Sequence, residues 1–129
     1  MKSPITGKEM KICQENRSLT YRGETFEYTA HYYLCEDSGE RFTTTESDTR
    51  DLEEVYDQYR IRHNIPSARE IREIRLKYKV SAAKMSRILG LGANQYRLYE
   101  AGEMPSISNA RLILLVSDEK NFEKLASLK

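Results

Sequence analysis

Residues 75–105 read RLKYKVSAAKMSRILGLGANQYRLYEAGEMP, and their spacing decides the fold of the second half of the chain. Ser81 has the residue type of a helix N-cap, and Ala82, Met85, Ile88 and Leu89 follow at helical spacing. Gly90-Leu91-Gly92 interrupts that helix. A further helix is expected from Ala93 to about Glu100, with Tyr96 and Tyr99 facing inward and Gly102 as its stop. Working upstream, Ser67 and Glu70 form a capping box for a helix that buries Ile71, Ile74 and Tyr78. Working downstream, a helix from about Ser108 carries Ala110, Leu112, Ile113, Leu115 and Val116. A last helix from Asp118 carries Phe122 and Leu125. Five helices are therefore expected across 67–129.

Two helices joined by a short glycine-containing turn have helix-turn-helix spacing. The second helix of such a pair lays its outer face in the DNA major groove. If Tyr96 and Tyr99 point inward, Asn94, Gln95, Arg97 and Leu98 share the outer and flanking surface. Asn and Gln pair with adenine N6 and N7, Arg pairs with guanine O6 and N7, and Leu98 suits a thymine methyl. Ser81, Lys84 and Arg87 are placed to reach phosphates, contacts that set register without reading sequence. The competing structural readings are that Asn94 only caps its helix and that Arg97 is a solvated charge. Arg75 and Glu100 read as structure, an ion pair clamping the first helix to the end of the third.

The first half is different. Lys8 to Gln14, Ser18 to Tyr21, Glu24 to Tyr28, Ala30 to Cys35 and Glu40 to Thr43 read as strand pieces, with Arg22-Gly23 as a tight turn. The tyrosines and phenylalanines between Tyr21 and Tyr56 read as the core of a small sheet, with a protein-binding face as the alternative. Thr44 or Thr45 caps a helix in which Leu52, Val55, Tyr56, Tyr59 and Ile61 recur at helical spacing, ending near His63-Asn64 before Pro66. The fold class is α+β: a β-rich domain at 1–45, a linker helix at 46–66 and a helix-turn-helix domain at 67–129.

The net charge of +1 conceals an asymmetry. Residues 1–67 hold 9 Lys/Arg against 13 Asp/Glu, and residues 68–129 hold 12 against 7. A basic half beside an acidic half fits one end that meets phosphates and another that does not. No apolar run is long enough to span a bilayer. Met1-Lys2-Ser3-Pro4 lacks the apolar stretch of a secretory signal, so a cytoplasmic location is expected, with Cys13 and Cys35 as thiols. An enzyme is disfavoured: His31 and His63 lie far apart in sequence, neither cysteine has a neighbouring histidine, and no glycine-rich phosphate loop occurs.

The run from Arg75 to Pro105 resembles the Xre/Cro type of helix-turn-helix, in its helix-one arginine, its serine-capped second helix and its Tyr-Glu-x-Gly ending. The whole chain resembles the MqsA antitoxins of bacteria, most closely over Gly90 to Gly102, GLGANQYRLYEAG. That resemblance implies a homodimer joined through the C-terminal domain, a palindromic double-stranded DNA operator in its own promoter, and a toxin protein held by the N-terminal domain. It also implies zinc on two Cys-x-x-Cys knuckles. The matching stretches are Ser3-Pro4-Ile5-Thr6 and Cys35-Glu36-Asp37-Ser38, so of the ligand positions Ser3, Thr6, Cys35 and Ser38 only Cys35 keeps a thiol. Structural zinc needs about four N, S or carboxylate ligands, so neither metal nor any other cofactor is expected. The family's recognition helix pairs an asparagine with an arginine four residues on. Asn94 matches the first, Leu98 occupies the second, and the arginine stands one place earlier at Arg97, rotated by about 100° around the helix. The DNA sequence preferred should therefore differ. A protein-interaction module with little DNA affinity is the competing reading.

Overall fold

Arg22 and Gly23 both adopt positive φ, +50° and +78°, which closes a two-residue turn of the mirror-image type that matches strand twist. The turn joins β1 (Lys11–Tyr21) to β2 (Glu24–Leu34), and the ladder runs unbroken from Tyr21↔Glu24 to Lys11↔Leu34. The separate strand pieces expected between Lys8 and Cys35 are thus two continuous eleven-residue strands, with Lys8 to Met10 and Cys35 lying outside them. Polar residues such as Asn16, Arg17 and Thr29 carry the ladder through places where the apolar pattern lapses, because the register comes from the turn. The resumed strand is only β3 (Arg41–Phe42), which pairs with Tyr33 and Leu34. The computed structural model describes residues 1–128. The chain divides into two compact units, Met1–Gln58 and Tyr59–Lys129.

Helix α1 (Thr45–His63) opens on Thr44, whose Oγ1 accepts from Ser47 N at 3.1 Å while Ser47 Oγ accepts from Thr44 N at 3.0 Å. In the first unit α1 buries Val55 and Asp51, and the sheet buries Phe26 and Ala30. The tyrosines are half-buried around that small core, Tyr21 against Tyr56 with ring centroids 5.0 Å apart. Leu52 and Ile61, expected on the apolar face, are exposed, at 42% and 79%. The helix buries the stripe through Asp51, Val55 and Tyr59, and a rotation of one residue takes Leu52 out of it.

The open edge of β2 beyond β3 is closed by side chains instead of a strand. His31 N donates to Asp51 Oδ2 at 3.1 Å and Thr29 N to Glu54 Oε2 at 3.4 Å, while Gln58 Nε2 donates to Glu27 O at 2.6 Å. Residues 27, 29 and 31 share one edge because backbone groups alternate along a strand, and residues 51, 54 and 58 share one helix face. An otherwise unpaired edge is thereby covered.

The second unit packs α2 (Ala68–Lys77), α3 (Ala82–Leu89), α4 (Gln95–Glu100), α5 (Ile107–Val116) and α6 (Glu119–Ala126). Among the described residues five helices follow the linker helix, as the spacing predicts. The last residue of the expected 67–129 domain, Lys129, lies outside the described residues. Ser67, Ser81, Ser106 and Asp118 cap α2, α3, α5 and α6, and the Ser67–Glu70 capping box is complete. The core holds Ile71, Met85, Leu89, Tyr96, Tyr99, Ile113 and Val116. Leu115, expected inside with its neighbours, is 58% exposed. Two departures concern boundaries. α4 starts at Gln95 rather than Ala93, since Gln95 N bonds back to Gly92 O in a turn. α5 starts at Ile107, because Ser106 takes the capping position.

Arg75 ties three pieces together. Its Nε and Nη2 donate to the two oxygens of Glu100, each at 2.9 Å, and its Nη1 donates to Val80 O at 3.1 Å. Both side chains are largely buried, so removing one leaves the other desolvated and unpaired. Arg75→Ala is expected to lower stability by about 3 kcal/mol in urea unfolding. Tyr96→Phe, which loses only the 2.5 Å bond from Tyr96 Oη to Ile71 O, should cost about 1 kcal/mol.

Candidate DNA-binding surface and a thiol–hydroxyl knuckle

Gly90, in the left-handed conformation at φ +73°, stops α3 and turns the chain toward α4. Leu91 and the exposed Gly92-Ala93 complete the turn. Ser86 is fully buried on α3, and its Oγ accepts from Tyr96 N at 3.0 Å. A serine therefore caps the start of the next helix from inside the core, a role the apolar pattern gives no sign of. With Tyr96 and Tyr99 inward, Asn94, Arg97 and Leu98 are exposed on α4, and Ser81, Lys84 and Arg87 are exposed on α3.

The side chains on this surface are differently engaged. Asn94 occupies the N-cap position but makes no side-chain capping bond. Gln95, half-buried, donates from Nε2 to Glu103 Oε1 at 3.2 Å. Ser81 Oγ caps α3 by accepting from Lys84 N at 3.1 Å. Lys84, Arg87 and Arg97 have no carboxylate within 4.0 Å among the described residues. The Glu100 carboxylate is already held by Arg75, whose guanidinium it keeps above its ordinary pKa through their hydrogen bonds. Burial pushes the Tyr96 phenol upward as well, so it remains a neutral donor.

In the first unit, two turns share one construction. Gly7 N bonds to Ser3 O at 2.9 Å and Ser3 N to Lys8 O at 2.8 Å. Gly39 N bonds to Cys35 O at 2.7 Å and Cys35 N to Glu40 O at 3.0 Å. Gly7 and Gly39 both take the positive φ such a turn requires, +73° and +74°. The turns face each other: Ser3 Oγ donates to Cys35 Sγ at 3.3 Å, and Thr6 Oγ1 lies 4.0 Å from the same sulfur. Ser3 Oγ also accepts from Ile5 N at 3.1 Å and Thr6 N at 3.3 Å. Ser3 and Cys35 are both buried. Hydrogen bonds from Ser3 first, then from Ser38, with a smaller one from Thr6, hold the Cys35 thiol down from 9.0 to about 7. Three hydroxyls and one thiol do not fit a structural zinc ion. Among the described residues no group of three or more His, Cys, Asp or Glu is placed to hold a metal.

The chain as a whole matches a family model. The family, described as the antitoxin component of bacterial toxin–antitoxin systems, MqsA, covers residues 1–125. The chain belongs to the MqsA antitoxin family. No curated protein and no solved structure gives a significant match. Membership in the MqsA family implies a toxin as partner, and this is not an enzyme family. Among the described residues no helix is long and apolar enough to cross a membrane.

Residues that lie far apart in the MqsA-type sequence also meet here. His31 Nδ1 stands 2.9 Å from Asp51 Oδ1, and Asp51 is 8% exposed. Twenty residues separate them, and no spacing rule joins a strand to a helix at that distance. The pair serves the sheet edge, since the same carboxylate also takes His31 N.

The lowered pKa of Cys35 has a measurable sign. The folded thiol ionises near 7 and the unfolded thiol near 9.0, so the folded state holds fewer protons between those values. Stability should therefore rise with pH across that window and lose the contribution as pH falls through 7. In a Cys13→Ser background, thiolate absorbance near 240 nm should titrate with a midpoint of about 7. Cys35→Ser should abolish both the titration and the rise in stability.

Proposed function

We propose that the protein is the antitoxin of a toxin–antitoxin pair, that it represses its own operon by binding a palindromic double-stranded DNA operator as a homodimer, and that it holds its toxin through the N-terminal domain. The observation that carries the DNA-binding part is the outer surface of α3 and α4. Asn94, Arg97 and Leu98 stand exposed on one helix, and Ser81, Lys84 and Arg87 on the other. The cations among them lack carboxylate partners among the described residues. In this reading Asn94, Arg97 and Leu98 read base edges, with Gln95 beside them. Ser81, Lys84 and Arg87 set register on phosphates.

Charge supports the same division of labour. Cut between Gln58 and Tyr59, the first unit carries 7 Lys/Arg and 13 Asp/Glu, or −6, and the second 14 and 7, or +7. A homodimer supplies the second recognition helix that half-sites one helical turn apart require. Val116 is fully buried and Phe122 stacks on Tyr78 with ring centroids 3.8 Å apart, so both serve the core of the unit. Leu114 and Leu115, 39% and 58% exposed, are the better candidates, with Leu112 half-buried beside them. Segments 1–45, 46–66 and 67–129 serve as partner-binding domain, linker and DNA-binding domain, and neither zinc nor another cofactor takes part.

A gel shift with the region upstream of its own operon tests the reading, begun at low salt where phosphate contacts are strongest. A shift that an unrelated duplex competes poorly is expected, and no shift at any salt concentration would sink the proposal in favour of a protein-interaction module. Asn94→Ala and Arg97→Ala should each weaken operator binding by about 1–3 kcal/mol and relax specificity at one base pair. Elemental analysis of the purified protein should find zinc well below one ion per chain, and stoichiometric zinc would refute the metal-free knuckle.

A further inference from the structure

Among the described residues, Arg22, Asn64 and Lys79 are the non-glycine residues with positive φ, at +50°, +55° and +55°. Asparagine visits this region readily, whereas a long side chain does so at a cost. Arg22 answers to the hairpin turn. Lys79 ends the turn of chain after α2, at a place where glycine or asparagine is the ordinary choice.

The fold imposes the backbone conformation at Lys79 from both sides. Lys79 N bonds to Leu76 O at 3.1 Å. Before it, Tyr78 Oη donates to Val116 O at 2.6 Å, and after it Val80 O is held by Arg75 Nη1 at 3.1 Å. The conformation is required, but the lysine is not. Its side chain is exposed, and no carboxylate lies within 4.0 Å of it among the described residues. It stands two positions before the N-cap Ser81 and five before Lys84.

We infer that Lys79 is a DNA phosphate-binding residue, kept in a strained backbone position for its charge. The inference rests on the DNA-binding reading above and extends it to a residue in the turn before α3. Its ammonium meets the backbone phosphate next to those reached by Ser81 and Lys84, so it adds affinity and salt dependence without reading sequence.

Lys79→Gly separates this role from a structural one, because it relieves the backbone and removes the charge together. Binding of the full-length protein to a fluorescein-labelled mixed-sequence duplex is followed by anisotropy from about 25 to 150 mM KCl. The variant should bind about 3- to 10-fold more weakly, with a slope of log K against log salt shallower by about 1. Its melting temperature should rise by about 4 °C. Lys79→Arg should keep the wild-type slope. Lys124→Ala, which removes one charge from α6, should keep it too. A Lys79→Gly protein with the wild-type slope, or a Lys124→Ala protein that loses as much, overturns the inference while leaving DNA binding intact. Failure of the wild-type protein to bind the duplex at the lowest salt overturns the DNA-binding reading itself, and this inference with it.

Discussion

The Arg75 guanidinium is the constraint on which the second unit depends. It satisfies three acceptors at once, both oxygens of Glu100 and the carbonyl of Val80. The planar fork of arginine makes this possible, and a lysine point charge would not reproduce it. Through those bonds the first helix of the domain, the turn into α3 and the end of α4 are held in one arrangement. Tyr96 and Ser86 complete it from within, Tyr96 through Ile71 O and Ser86 through Tyr96 N. The outer surface of α3 and α4 then presents Lys84, Arg87, Asn94 and Arg97, side chains with no capping bond or ion pair among the described residues. Asn94 is the clearest case, since it fills a capping position without capping.

The first unit is held by different means. Its sheet has too few apolar residues to form a large core, and Phe26, Ala30 and Val55 are the best-buried members. Polar closure does the rest. Asp51, Glu54 and Gln58 take the place of a neighbouring strand along β2. At the other end, two glycine turns of the same construction are joined through the Cys35 sulfur and the Ser3 hydroxyl. A metal ion would supply far more binding energy than these bonds. The knuckle keeps its backbone shape because each turn satisfies its own N–H and C=O groups, with or without a ligand at its centre.

Much of this was legible in the residues. The Ser67 and Ser81 caps and the inward tyrosines of the second unit could be read from local spacing, because capping and helical periodicity act over three or four residues. The Arg75–Glu100 pair, 25 residues apart, could be read only from the helix-turn-helix arrangement. The strands were less legible. Their register is set by one turn, so polar stretches such as Glu15 to Arg17 remain in the ladder although their sequence reads as a break. Leu52, Ile61 and Leu115 misled for a related reason. Hydrophobic spacing shows that a stripe exists, but which residues within it are covered depends on the angle at which another element arrives.

By itself, then, the sequence determined the order of the helices, the Ser67 and Ser81 caps, the single thiol among Ser3, Thr6, Cys35 and Ser38, and the placing of arginine at 97 with leucine at 98. All of these are properties of residue identity or of neighbours within a turn. The tertiary structure alone decided that Asp51 closes an edge through His31, that Ser3 and Cys35 share a hydrogen bond, that Ser86 caps α4 from the core, and that Lys79 sits in a left-handed turn. Each of these depends on segments brought together by packing. Chain spacing carries no mark of such meetings, because they are set by the burial and hydrogen bonding of the whole unit.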